Sequence, residues 1–416
     1  MRNDVEVILV GDELLRGERS DAHLAFIASA ARRVGARTAA AHVAGDHPTR
    51  IAALVNERLP HARVLVLTGG LGPTDDDVTR EGVAEALGAA LEFREDEWQT
   101  IVQFMESRGR PATAANRRQA YFPHGATVLA NPVGTAAGFF AEAGETAVFV
   151  LPGPPMELQP MMESLVLPRL AEIFGRPPVR VERFRTTGIA ESQLFEQLAP
   201  DTTQLSAYTV SWLPSIGGVD VVLTQRTGAD AGVLDAEAMR IHGRLDELLG
   251  SKYYTRGDRA LAEVAGDMLV ARGETVAVAE SLTGGGIARL FTDHAGASAY
   301  FLAGAVTYSN ESKTELLGVR AETIAEFGAV SEETCTEMAH GIRRRAHATW
   351  GVATTGIAGP GGGTSHKPVG LTFIGVAWDG GVQVRRAIFP GGRGVVRARA
   401  AHTALWLLYD QLRRRG

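Results

Sequence analysis

Lysine is scarce in this chain. Lysine and arginine together number 42, of which only Lys252, Lys313 and Lys367 are lysine and the other 39 are arginine. Arginine can fill ordinary surface cation positions but cannot be deprotonated in a protein, whereas a buried lysine can lose its proton and act as a base. Each surviving lysine is therefore a candidate for chemistry. Cysteine is scarcer still. Cys335 stands alone, which excludes an internal disulfide framework and a cysteine-based zinc site. It lies in a helical stretch, SEETCTEMAHGI, where packing is its expected role. No apolar run approaches membrane-spanning length, and the opening MRNDVEVILVGDELL reads as a first strand followed by acids, not as a signal peptide. A cytoplasmic protein without a membrane partner is expected. Excess positive charge is also missing: a formal net charge of −6 gives no general electrostatic case for direct nucleic-acid binding.

What is present is globular in composition, with 45% hydrophobic and 22% charged residues. At 416 residues the chain is too long for one typical core, so two or three domains are expected. The stretch 275–313 organises the carboxyl-terminal part. An apolar run (Val276, Val278) ends at Ser281 and is followed by Thr283, Gly284, Gly285, Gly286 and a helical pattern. A strand ending at a helix start leaves N–H groups that attract negative charge. A serine there can attack a carbonyl while neighbouring amides hold the oxyanion. The base candidate is Lys313, about one turn into a helix whose natural N-cap is Asn310. Tyr308 ends the intervening strand at 301–308, so both side chains can point at one crevice. The plainer alternative makes Lys313 a solvated helix residue and Ser281 an N-cap.

Earlier in the chain, apolar strands at 5–10, 42–46 and 64–67 alternate with helical patterns, which indicates a parallel sheet covered on both faces. Ligands of such sheets bind beyond the carboxyl ends of the strands. There the third strand meets Thr68, Gly69, Gly70, Leu71, Gly72 and then Asp75, Asp76 and Asp77. Glycine amides can form an anion nest, and carboxylates can hold a hard divalent cation, a combination that suits a pyrophosphate with its metal. A glycine turn followed by an acidic helix start is the plainer alternative. Asp12, Glu13 and Asp46 also lie just beyond strand ends. A helix interrupted by Pro160 and Pro168 follows at 156–174, then an α+β stretch at 179–255 with strands at 179–187, 205–212 and 218–226. Beyond Lys313 a helix is expected at 325–346, then a strand at 350–355 that ends in the glycine-rich loop 356–364. The last helix, 395–414, carries Ala400, Ala404, Leu407 and Leu408 as an apolar stripe.

The motifs AESLTGG, YSNESK, GAVSEET, GIAGPGGGTSHKPVG and the closing Pro390-Gly391-Gly392-Arg393 resemble the nicotinamide mononucleotide deamidase domain of the CinA (competence/damage-inducible protein) family. GDELLRG, AGDHPTR, TGGLGPTDDDVT, NRRQA, NPVGTAAGF and LPGPPMEL resemble its amino-terminal, molybdopterin-binding-like domain. The resemblance implies an α/β multidomain protein: a parallel-sheet MoaB-like domain at 1–175, a KH-like α+β connecting module at 176–255, and an α/β amidohydrolase domain at 256–416. It implies a metal-free catalytic set of Ser281, Tyr308 and Lys313. Substrate contacts would come from Thr283, Gly284, Gly285, Asn310, Gly356, Ala358, Gly359 and Arg393. Gly392 departs from the acidic residue that many relatives carry there. In the amino-terminal domain it implies metal-dependent ADP-ribose pyrophosphatase activity, with Thr68, Gly69, Gly70 and Gly72 as phosphate cradle and Asp75, Asp76 and Asp77 as ligands of a divalent metal ion. Nicotinamide mononucleotide and ADP-ribose are the implied substrates, and a homodimer is expected. The middle stretch lacks a clear GXXG loop, so RNA binding is not inferred. A molybdopterin-type cofactor-binding protein and a competence or DNA-repair adaptor are the rival expectations.

Overall fold

Alternation of buried side chains builds the first sheet. In β1 (Asn3–Val10), Val5, Val7 and Leu9 enter one apolar cluster, while Ile8 and Val10 enter the cluster on the opposite face. Each such side chain contributes about 1.5–3 kcal/mol when fully buried. The computed structural model describes residues 3–415, and these divide between Arg180 and Val181 into two units. In the first, β2 (Thr38–Ala44), β1, β3 (Ala62–Thr68) and a strand at Thr146–Leu151 run parallel. Two more, at Gly138–Ala143 and Thr127–Leu129, continue the sheet antiparallel. Helices cover both faces. The sheet is thus parallel where the ligand-bearing loops are expected and antiparallel at one edge. The chain after β1 holds two helices, Asp12–Leu15 and Leu24–Arg33. Pro160 and Pro168 do not break the chain apart: helix Pro155–Met161 passes through one wide turn, Met162–Val166, into helix Leu167–Phe174.

The second unit begins with a four-stranded antiparallel sheet made by Val181–Thr186, Tyr208–Pro214, Val219–Gln225 and Tyr253–Arg256. Helices Glu191–Thr202 and Ala231–Leu249 belong to this layer, with Leu194, Leu198, Leu234, Ile241 and Leu245 buried against Phe184, Val221 and Leu223. A five-stranded sheet follows. The strand Val276–Glu280 lies between Phe301–Val306 and Trp350–Gly356, both parallel to it. Leu371–Trp378 and Gly381–Ile388 extend it antiparallel. Val276 and Val278 face the long helix Arg393–Arg414, whose Ala404, Leu407 and Leu408 are buried in the same cluster. Ala277 and Ala279 face helix Glu332–Arg345. Cys335 packs there against Gly375, and burial pushes its thiol pKa up, as befits a packing residue.

The helix expected at 325–346 is two helices, Ala321–Phe327 and Glu332–Arg345. Gly328 adopts a φ of 81°, and Ser331 restarts the helix by accepting the Thr334 N–H and donating to the Gly328 carbonyl. This break matters for the site, because it exposes Ala329 and Val330 to the Ser281 cavity.

Candidate active sites

Three parallel strands of the last domain end around one cavity of about 190 Å³. Ser281 follows the central strand and is held there by its N–H on the Thr354 carbonyl, 3.0 Å away. Lys313 lies in helix Asn310–Leu317, which begins just past the neighbouring strand. The two meet: Lys313 Nζ is 3.4 Å from Ser281 Oγ. Lys313 is only 1% exposed. Its other partners are the carbonyls of Thr307 (2.8 Å), Tyr308 (3.3 Å) and Ser309 (3.4 Å). Burial lowers its pKa from the ordinary lysine value, and the nearby Glu311 charge opposes this only in part. A solvated helix residue would show neither feature. The helix is capped by Ser309, not Asn310: the Ser309 hydroxyl accepts the Ser312 N–H at 3.1 Å. Asn310 is freed to line the cavity.

Tyr308 also lines the cavity but is 60% exposed. Its hydroxyl accepts a hydrogen bond from Arg393 at 2.8 Å. It therefore stands at the rim, on the arginine and away from the Lys313–Ser281 contact. Arg393 donates also to the Gly359 carbonyl at 2.9 Å, so Gly392 has not displaced it from the site. Gly356 and Ala358 line the cavity, whereas Gly359 acts through that carbonyl. Thr355, Ala329 and Val330 complete the wall and are tied together by the Thr355 hydroxyl on the Ala329 carbonyl, 2.6 Å. The glycine in the run FGAVSEE was the signal for the last two.

The turn after Ser281 does not leave all of its amides open for an oxyanion. The Gly284 N–H is taken by the Ser281 carbonyl at 3.1 Å. Gly285 caps helix Gly286–Thr292, whose first free amides, Ile287 and Ala288, are bound by the buried Glu280 carboxylate at 3.1 and 2.9 Å. That helix start is already neutralised. Among the described residues, the Leu282 and Thr283 N–H groups have no protein acceptor, and Leu282 lines the cavity. Thr283, Gly284 and Gly285 do not line it; the Thr283 hydroxyl pairs instead with that of Thr354 at 2.8 Å. Lys367 is directed elsewhere, its ammonium on the Phe327 carbonyl at 2.6 Å.

In the first unit a larger cleft, about 580 Å³, opens beyond β1 and β3. Thr68, Gly69, Gly70 and Gly72 line it, with Glu13, Asp46, Asp76 and Asp77. Gly69 has a φ of 105°, and a Cβ there would come within 2.2 Å of the Val10 carbonyl, so the loop crosses β1 only as glycine. Asp12 and Asp46 hold each other's backbone N–H groups at 2.8 and 3.2 Å. Burial raises the Asp46 pKa, and the charges of Asp12, Glu13 and Asp76 push it further. The three consecutive aspartates do not converge. Asp75 is fully exposed and pairs with Arg118 at 2.8 Å. Asp77 accepts the N–H (2.9 Å) and the hydroxyl of Thr74. Among the described residues no three acids or histidines form a ready-made cation cage. Glu13, Asp46, Asp76 and Asp77 face the cleft, and the charges of Glu13 and Asp76 both act on Asp46. Two carboxylates suit a hydrated magnesium-like ion, which takes its other ligands from substrate phosphates. Sequence reasoning missed Glu157 in this cleft. It is bonded to Asn131 at 2.6 Å, and its pKa is raised by burial.

The amino-terminal unit matches the family model described as "Probable molybdopterin binding domain" over residues 6–172, and residues 258–412 match "CinA C-terminal domain". The chain is 38% identical over 409 residues to a "Putative competence-damage inducible protein" of Moorella thermoacetica, covering 98% of both chains. It is 38% identical to a "CinA-like protein" of Cyanothece over 100% of this chain and 99% of that one. A solved structure of competence damage-inducible protein A from Klebsiella pneumoniae is 37% identical and covers 37% of this chain and 95% of its own, with a TM-score of 0.36. No described helix is long and apolar enough to cross a membrane. The likeness to full-length relatives runs through both domains, and the chain belongs to the CinA, or competence-damage inducible, family.

Proposed function

We propose that the protein is a bifunctional pyridine-nucleotide salvage hydrolase. Its carboxyl-terminal cavity converts nicotinamide mononucleotide to nicotinate mononucleotide and ammonia. The observation that carries this is the buried Lys313 ammonium nitrogen 3.4 Å from the Ser281 hydroxyl, with no carboxylate bonded to it among the described residues. Neutral Lys313 accepts the Ser281 proton as Oγ attacks the carboxamide carbon. The Leu282 N–H, on the residue that lines the cavity beside Ser281, is a free donor for the developing oxyanion. As the C–N bond breaks, the Lys313 ammonium returns a proton to the leaving ammonia. Water, deprotonated by Lys313 in turn, cleaves the ester and restores Ser281. The scheme gives no role to a metal ion. Leu282, Ala329, Val330 and Ala358 make an apolar wall for a flat aromatic amide, and the exposed Arg393 and Asn310 are placed for its charged ribose phosphate. Tyr308 and Arg393 act as a pair at the rim. The substrate itself is assigned from the resemblance to the deamidase domain.

The amino-terminal cleft, in the same proposal, cleaves ADP-ribose to AMP and ribose 5-phosphate. Its glycine loop is suited to phosphate, and Asp46 and Asp76 would hold a divalent cation. When bound, the cation would neutralise the pyrophosphate and polarise it toward attack by water. The family-model description favours a second reading of this cleft, a molybdopterin-type cofactor held without hydrolysis. Retention of a fluorescent pterin through purification would support that reading. The relatives' names leave room for a competence adaptor, which predicts a stable protein partner and a phenotype that survives loss of both activities. The deciding experiment is ammonia release from nicotinamide mononucleotide by the full-length protein, with and without chelator. Release that resists chelation supports the serine–lysine scheme. No release would bring down the deamidase assignment. The expected homodimer is checked by light scattering on the same sample.

A further inference from the structure

Arg397 lies one helical turn after Arg393 and outside the residues that line the Ser281 cavity. Its Nε–H donates to the Leu282 carbonyl at 3.0 Å, and a terminal N–H donates to the Thr283 carbonyl at 2.9 Å. One planar group thus holds two consecutive carbonyls of the turn that follows the serine. In a trans peptide the carbonyl and the next N–H point in opposite directions. Fixing the Leu282 carbonyl therefore fixes the Thr283 N–H, and fixing the Thr283 carbonyl fixes the Gly284 N–H. The latter closes on the Ser281 carbonyl at 3.1 Å, which in turn sets the direction of the Leu282 N–H. The Leu282 and Thr283 amides are thereby oriented from one guanidinium. Gly284 is adapted to the same contact. Its φ is +60°, and a Cβ there would sit 3.0 Å from the Arg397 nitrogen. Lysine, a single point charge, cannot reproduce a two-carbonyl fork.

We propose that Arg397 is a positioning residue, holding the turn after Ser281 so that the free Leu282 amide beside the cavity is preorganised for the oxyanion. This rests on the amide-hydrolase reading above. The test uses full-length Arg397→Ala and Arg397→Lys beside the unmodified protein, with rates referred to the folded fraction. Removing an oxyanion donor costs about 100-fold or more in kcat, and that is the scale of loss expected for Arg397→Ala, with KM little changed. Arg397→Lys should recover only part of it. Hydrogen exchange without substrate gives an independent readout: peptides covering 281–286 should exchange faster in both variants, while the strand Trp350–Gly356 stays protected. An unchanged kcat, or a raised KM at constant kcat, would overturn the proposal while leaving the hydrolase reading intact. Unchanged exchange at 281–286 would overturn it whatever the substrate. If the unmodified protein released no ammonia, the hydrolase reading would fall and take the catalytic role of Arg397 with it.

Discussion

The two candidate sites handle charge in opposite ways. The carboxyl-terminal cavity buries one amine, Lys313, among carbonyls. The amino-terminal cleft gathers Glu13, Asp46, Asp76 and Asp77 around a glycine loop three times as roomy, about 580 against 190 Å³. In the first, desolvation lowers the pKa of the amine placed to act as a base. In the second, burial and the charges of neighbouring carboxylates raise the pKa of Asp46. Both sites lie beyond the ends of parallel strands, so the shared architecture supplies the position and the side chains supply the chemistry.

The largest expected effect breaks the comparison cleanly. Ser281→Ala should lower ammonia release by at least about 10³-fold and leave ADP-ribose cleavage at its original rate. Full deamidation by this variant would remove the nucleophile from the scheme. Lys313→Arg comes next. A permanent cation cannot serve as base, and loss of general-base help is worth about 10²–10⁴-fold. The pH dependence has a definite sign. Lys313 must be neutral to accept the serine proton, so kcat/KM should climb as pH rises and level off below the ordinary lysine pKa of about 10.4. A flat profile through that range would mean that Lys313 is not the titrating base.

In the amino-terminal cleft the contrast lies between neighbours. Asp76→Asn should slow ADP-ribose cleavage by about 10²-fold, on the scale of a lost electrostatic contact to the transition state. Chelation should do the same. Asp75→Asn, at a fully exposed carboxylate paired with Arg118, should change little. Equal losses at both positions would return Asp75 to the metal-binding set, and no loss at either would favour the cofactor-binding reading.

Much of this was legible because the signals are local. Strand patterns at 64–67 and 276–280 place their glycine loops at strand ends, and Ser281 and Lys313 sit on adjacent strand-to-helix connections. What was not legible depends on distant partners. Three adjacent aspartates look alike until Arg118, 43 residues away, draws Asp75 outward. A helical period runs across Gly328 and conceals the break that Ser331 and the Thr355 hydroxyl stabilise. Glu280, a strand residue, becomes a helix cap only when helix Gly286–Thr292 folds back over it. Arg397 lies outside the apolar stripe of its amphipathic helix, and its role needs the turn 114 residues earlier.

The smallest contrast separates scaffold from substrate inside one loop of the carboxyl-terminal site. Ser309 supplies the cap of the Lys313 helix and Asn310 faces the cavity. Loss of a serine cap costs about 1 kcal/mol, which lowers Tm by about 2–4 °C in a unit of this size. Ser309→Ala should therefore be measurably less stable in thermal unfolding, with KM for nicotinamide mononucleotide unchanged, because its backbone carbonyl still accepts from Lys313. Asn310→Ala should show the reverse. Alanine is the better helix former, so stability should hold or rise slightly, while KM increases through the lost polar contact. Neither change should touch ADP-ribose cleavage. If Asn310→Ala instead destabilised the protein at constant KM, Asn310 would be the cap after all, and the ribose phosphate would have to be sought at Arg393 alone.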